Sequence, residues 1–275
     1  MSPKDFREWY TNLSVNSFDA GGNQYVFSGL HVDKYAMNDT SNQTSGQKAI
    51  DTIRSQVNAR NQSFQTSAPD SAGWAIPMDN LAFIYASIFR GTPAQLEYIL
   101  NVGIQCRYFK NPTQQSLQQF IDDSFRTDCV GFVSSYFRQE RGNAFFTLDN
   151  VANHGCGPFY DKAKAAGSFV WYPRDIREQD VLLWMLEDRT ETRSPGHISL
   201  VQSVSAPPED GGTYQLHCVE SNGAQNTKDP KETVRSMKST GKQDTDGNYI
   251  YWKGPDGKSY IELTDGAKVI IIRLS

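Results

Sequence analysis

No stretch of this sequence is apolar for long enough to cross a bilayer, which takes roughly 20 mostly apolar residues as a helix. The most apolar run, Leu81–Phe89 (LAFIYASIF), is less than half that length. The opening MSPKDFREWY is charged and lacks the apolar stretch of a secretory signal peptide. The expectation is a chain with no membrane span, made in the cytoplasm and exported or released if it acts outside. Cysteine is scarce: Cys106, Cys129, Cys156 and Cys218 are the only four. That is too few for a disulfide scaffold. None forms a CxxC pair, and His154 with Cys156 has no second ligand pair at zinc-site spacing, so no metal is expected. Positive charge is not in excess. The chain has 27 Lys and Arg against 31 Asp and Glu, a net charge of −4. A nucleic acid is therefore not the expected partner.

Apolar residues are also sparse over residues 1–75, where Asn, Gln, Ser, Thr and Asp dominate. Only Gln47–Asn58 reads as a short amphipathic helix, through Ile50, Ile53 and Val57. Residues 1–75 are expected to be a polar extension, with a boundary near Gly73 and a folded domain over 76–275. In that second part Asp79–Phe89 reads as a helix capped by Asp79 or Asn80, with Gly91 after its end. Thr92-Pro93 opens another, through Leu96, Ile99 and Leu100 to about Gly103. Gln115–Ser124 is a third. A buried helix, CVGFVSSYFRQER, follows Asp128. From Val181 the pattern changes to short strands: VLLWML, HISLV, YQLHCVE, NYIYW, SYIEL and VIIIRL. Helices first and an antiparallel sheet later predict an α+β domain.

Three features carry chemistry. Cys129 stands at the start of the buried helix, where backbone N–H groups and the helix dipole favour an anion and so a thiolate nucleophile. Asp128 is placed to cap that helix, and Gly131 leaves room beside its first turn. His197, in Gly196-His197-Ile198-Ser199-Leu200-Val201, opens a strand after a loop and is a candidate general base. The third is Tyr214–Asn222. Alternation puts Tyr214, Leu216, Cys218 and Glu220 on one face and His217, Val219 and Ser221 on the other. A base needs an orienting group on its far nitrogen. Glu220 and His217 are both candidates, and parity favours Glu220. Each residue alone has a plainer reading: a structural thiol, a histidine at a strand end, an ordinary strand residue.

Taken in order, Asp128–Val133, Gln179-Asp180-Val181-Leu182-Leu183-Trp184 and Gly196–Val201 resemble three motifs of the papain-like cell-wall peptidases of the NlpC type and the related CHAP amidases. Those motifs are D-C-x-G-F/L-V, G-D-x-L-x-W and G-H-[VI]-x-[IL]-[VY]. The resemblance covers about Leu117–Ser275. It implies a papain-like fold with the nucleophile helix packed on a mostly antiparallel sheet, Cys129 as nucleophile and His197 as base. The glutamate of CHAP-type enzymes matches Glu220; the second histidine of NlpC-type enzymes matches His217. The implied activity is hydrolysis of amide bonds in peptidoglycan stem peptides through an acyl-enzyme, with no cofactor. A phage lysin or an exported antibacterial toxin fits that activity, and an immunity or inhibitor protein would be the partner of a toxin.

The chain departs from the family in lacking the Trp-Gly-Gly approach to the cysteine; Phe120–Arg126 stands there instead. One oxyanion donor is then the Cys129 N–H, and Tyr108 is a candidate for the second. The segment from Gly142 to Tyr172 is either a wall of the substrate cleft or a packed excursion. Two other functions stay open: a binding module with the same fold, and an acyltransferase or deamidase acting on a protein with the same Cys-His pair. Gly254–Ser259 has its glycines too close for a phosphate loop. Asp244–Asn248 lacks the closing glutamate of a calcium loop. Both read as turns.

Overall fold

The structure, a computed structural model, describes residues 1–36, 43–66, 75–142, 145, 155–184, 196–205, 213–223, 230–254 and 260–274. Its helices and antiparallel strands make the chain α+β. Among the described residues no helix is long and apolar enough to cross a membrane. Two compact units are present. Met1–Arg7, Phe132–Asn222 and Lys231–Ser275 form a sheet unit, and Glu8–Gly131 with Gly223–Pro230 a helical unit. This is not the division expected at residue 75, and Gly73 itself lies outside the described residues.

Much of the expected polar extension forms secondary structure. Strands β1 (Leu13–Phe18) and β2 (Gln24–Leu30) form an antiparallel hairpin. Helix α1 (Pro3–Tyr10) precedes it, and α2 runs over Gln43–Thr66, twice the expected helix. The few apolar residues here stand at the right periods to be fully used. Leu13 and Val15 face inward along β1, and Ile50, Ile53 and Val57 line one side of α2, all buried. Low apolar content thus hid a buried face rather than signalling its absence.

Helix α3 (Asn80–Ser87) is capped by Asp79, whose side chain accepts from the Ala82 N–H. It stops short of Phe89 because Phe89 takes a left-handed φ of 62°. Helix α4 (Pro93–Gln105) opens with a reciprocal capping box between Thr92 and Gln95 and with Pro93 in its first turn. Helix α5 (Gln114–Ser124) has the same kind of box between Thr113 and Ser116. Helix α6 is Cys129–Arg141, the expected buried helix. In the sheet unit, Phe132 and Tyr136 of α6 pack on Phe6 at ring separations of 5.5 and 5.3 Å.

The remaining elements belong to the sheet unit: α7 (Gly157–Ala166), β3 (Phe169–Val170), β4 (Val181–Trp184), β5 (His197–Ser205), β6 (Gln215–Glu220), β7 (Lys231–Ser236), β8 (Trp252–Lys253), β9 (Tyr260–Glu262) and β10 (Lys268–Ile272). The strands form one antiparallel sheet in the order β7-β6-β5-β4-β10-β9-β8, with β3 also pairing with β10. Leu182, Val201, Leu216, Cys218, Val269 and Ile271 fill one face. Val181, Leu183, Ile198, Leu200 and Ile270 are buried on the other. A sheet covered on both sides explains why β4 and β10 read as apolar runs, Val181–Trp184 and Val269–Ile272, with no polar residue between. The sheet curls, because Lys238 N–H donates to Glu262 O at 2.7 Å and Thr264 N–H to Ser236 O at 2.8 Å. The expected NYIYW strand shrinks to Trp252–Lys253. Asp244–Asn248 is a turn held by the Asp244 carboxylate, which accepts the Asp246 and Asn248 N–H groups. His154 and residues 255–259 of the second expected turn lie outside the described residues.

The Gln179-Asp180 step fixes where β4 begins. Asp180 is 1% exposed. Its carboxylate accepts Arg273 through Nε and Nη2, both at 2.8 Å, and the Arg177 N–H at 2.9 Å. Its carbonyl accepts the Val201 N–H at 2.7 Å, which ties the step to β5. Gln179 sits at φ 74°, where the resembled motif carries glycine. A side chain in that region costs about 1 kcal/mol that glycine does not incur. Gln179→Gly is therefore expected to be more stable than Gln179→Ala, which keeps the strained φ, by about 1 kcal/mol. That is a Tm difference of about 2–4 °C in a calorimetric comparison, with Gln179→Gly higher.

Candidate active site

Strand β5 places His197 by its register. β4 pairs His197 with Trp184. On the other side Leu200 pairs with Val219 and Val201 with Cys218. Continuing that register by one residue sets Ser199 opposite Glu220. His197 is two residues further along on the same face, so it is the diagonal neighbour of Glu220, about 7–8 Å away in backbone terms and within side-chain reach.

The side chains close that gap. His197 Nε2 lies 2.8 Å from Glu220 Oε2. The other carboxylate oxygen, Oε1, accepts from Arg235 Nη2 at 2.6 Å and from Asn222 Nδ2 at 2.8 Å. The Glu220 side chain is fully buried and that of His197 18% exposed. Burial alone would raise the Glu220 pKa. The hydrogen bond and charge of His197, joined by the Arg235 guanidinium, outweigh it and hold the carboxyl at about 2. Glu220 is thus a carboxylate, an acceptor only, and it fixes the proton of a neutral His197 on Nε2. Nδ1 is then the basic nitrogen of that tautomer. The Trp184 ring meets the imidazole at 4.9 Å and 66°, which limits rotation of the imidazole.

His217 is placed elsewhere. It faces away from Glu220, and its Nε2 lies 3.1 Å from Ser205 Oγ. Cys218 is fully buried, and desolvation together with the nearby Glu220 charge pushes its thiol up to about 12, so it is a core thiol and no nucleophile. Cys106 is partly buried, with its thiol also pushed up by burial.

Cys129 belongs to the helical unit. It is the first residue of α6 and 9% exposed. The first turn is fixed by Asp128, whose Oδ1 accepts the Gly131 N–H at 2.6 Å and pairs with Arg90 at 2.5 Å. Gly131 is needed there, because a Cβ would run into the Phe89 carbonyl oxygen and lie 3.0 Å from Thr127 Oγ1. Tyr108 packs edge-on against Phe109 at 5.1 Å and Phe120 at 6.0 Å. Among the described residues no three of His, Cys, Asp and Glu converge as metal ligands.

Sequence reasoning missed Arg235 and Arg90. Arg235 lies on β7, KETVRS, whose single apolar residue Val234 is on the exposed face. Arg90 sits in the link after α3, where composition gives no signal. Compared with known proteins, the chain matches no family model, no curated protein and no solved structure.

Proposed function

We propose that the chain is a cysteine-dependent hydrolase of papain-like, NlpC/CHAP character that cleaves amide bonds of peptidoglycan stem peptides. The observation that carries this reading is the 2.8 Å contact between His197 Nε2 and a buried, ionised Glu220. A carboxylate buried at such cost is matched to a histidine whose tautomer it sets, as an acyl-transfer base requires. Cys129 at the start of α6 supplies the nucleophile and Asp128 holds its turn. In the proposed reaction His197 Nδ1 takes the Cys129 thiol proton and Sγ attacks the amide carbon. The imidazolium returns that proton to the departing amine, leaving a thioester. Water then gives a proton to His197 and its oxygen to the acyl carbon, and the thiol is regenerated as the carboxylic acid leaves. An exported or released protein acting on the cell wall, with an immunity protein in the producing cell, belongs to the same proposal.

The test is iodoacetamide alkylation of Cys129 from pH 5 to 9, with Cys106→Ser removing the background thiol. Rapid labelling near pH 6, slowed about tenfold or more by His197→Ala, is expected, along with muropeptide hydrolysis that is lost in Cys129→Ala. Labelling that rises only near pH 8.5 and ignores His197 would mark a structural thiol and a binding module. Acyl transfer or ammonia release from a protein substrate would favour the transferase or deamidase instead.

A further inference from the structure

Catalysis as proposed uses Cys129, His197 and Glu220 and gives the cation on β7 no part. We propose that Arg235 is a positioning residue of this site, clamping the Glu220 carboxylate so that it holds His197 in the Nε2–H form. The proposal rests on the hydrolase reading for what the base does, but not for how it is held.

The geometry forms a closed ring across four neighbouring strands. Arg235 Nη2 binds Glu220 Oε1 at 2.6 Å, and Oε2 of the same carboxylate meets His197 at 2.8 Å. His197 meets the Trp184 ring at 4.9 Å, and the Arg235 guanidinium lies over that ring at 5.3 Å. Each member thus touches the next: β7 to β6, β6 to β5, β5 to β4, and β4 back to β7. Oε1 also accepts from Asn222 Nδ2 at 2.8 Å, so Arg235 is the second donor on that oxygen, and a charged one. With both in place the carboxylate presents Oε2 in one direction; with the neutral Asn222 amide alone it is held more weakly. Arginine suits the place because its planar head donates a hydrogen bond while its face stacks on an indole; lysine cannot do both.

Among the described residues the charged groups around Glu220 are His197 on β5 and, on β7, Arg235 and Lys231, the latter the register partner of Glu220. Cys218, on its own strand, is a buried thiol, and Asp265 lies 3.7 Å from the far side of Arg235. His197 and Arg235 both favour the ionised form of Glu220, which agrees with its low pKa. Sequence alternation places Lys231, Thr233 and Arg235 on one face of β7, and Val234 on the other, 55% exposed.

The experiment uses the full chain with Arg235→Met, Arg235→Lys and the outward Val234→Thr. Long-range nitrogen–proton NMR of the His197 ring reads the tautomer at a pH where the ring is neutral, and muropeptide hydrolysis reads kcat and KM. The wild type and Val234→Thr are expected to show a single Nε2–H form. Arg235→Met should show a mixture, with kcat lowered tenfold or more and KM changed less than twofold. Arg235→Lys should recover only part of kcat. A folded Arg235→Met with an unchanged tautomer and rate would overturn the proposal. Where Arg235→Met does not fold, wild-type behaviour in Arg235→Lys overturns it equally. If no variant, wild type included, hydrolyses muropeptides while Arg235→Met still loses the tautomer, the hydrolase reading fails and the positioning role stands.

Discussion

If the chain is the hydrolase proposed, Glu220→Gln is expected to lower kcat on muropeptides by about 10³–10⁴ while the chain stays folded. The amide keeps the volume of the acid, and its oxygen can take over Oε1, accepting from Arg235 and Asn222 as the carboxylate does at 2.6 and 2.8 Å. The amide NH₂ then occupies the Oε2 position and donates toward His197 Nε2. A neutral His197 can accept that hydrogen bond only by carrying its own proton on Nδ1, the nitrogen that must take the thiol proton. The base is present but holds its proton on the wrong atom. Cys129 alkylation near pH 6 should fall in parallel, which separates a failure of the base from a failure of substrate binding. Wild-type kcat in a folded Glu220→Gln would show that Glu220 does not set the tautomer.

The same residues show what the sequence makes legible. Helix α6 and the strands β4, β5, β6 and β10 were readable because they are buried and strongly apolar, and period and composition agree there. His197 and Glu220 could be paired as candidates because a period of two places residues on faces without knowledge of the turn between strands. The register that makes them diagonal neighbours, with a shift in β5 between Val201 and Ser203, is not written in either strand alone. Strand β7 was missed because its inward residues, Lys231, Thr233 and Arg235, are polar, and one of them, Arg235, is there to meet the Glu220 carboxylate. A polar site thus erases the apolar signal of the strand that serves it. The N-terminal 75 residues failed for another reason. A hairpin and a long helix can bury a narrow face with few apolar residues, and an average over the segment does not see a face.

Acid should expose the electrostatic work done at Glu220 directly. Its carboxyl is held at about 2, below the ordinary value of 4.5. A group whose folded pKa is depressed contributes stability that is fully present above the unfolded pKa and is lost as pH falls toward the folded one. The window is therefore pH 4.5 down to about 2, and a gap of this size corresponds to about 3 kcal/mol. Other carboxylates are lowered too. Asp19 is held by hydrogen bonds from Asn23, Asp244 by the Asn248 N–H, and Glu262 by Lys238 and Lys253. Wild type cannot separate them, but its difference from Glu220→Gln can, because the other groups are common to both chains and the amide does not titrate. Urea unfolding at pH 7, 5, 4, 3 and 2 should show the advantage of wild type over Glu220→Gln shrinking by about 3 kcal/mol between pH 5 and 2. A difference that stays constant across that range would mean that the carboxyl is not held ionised by His197 and Arg235, and the ring across β4 to β7 would lose its electrostatic basis. A difference that shrinks only in the presence of Arg235, and stays flat when both chains carry Arg235→Met, would assign the depressed pKa to that guanidinium rather than to the histidine.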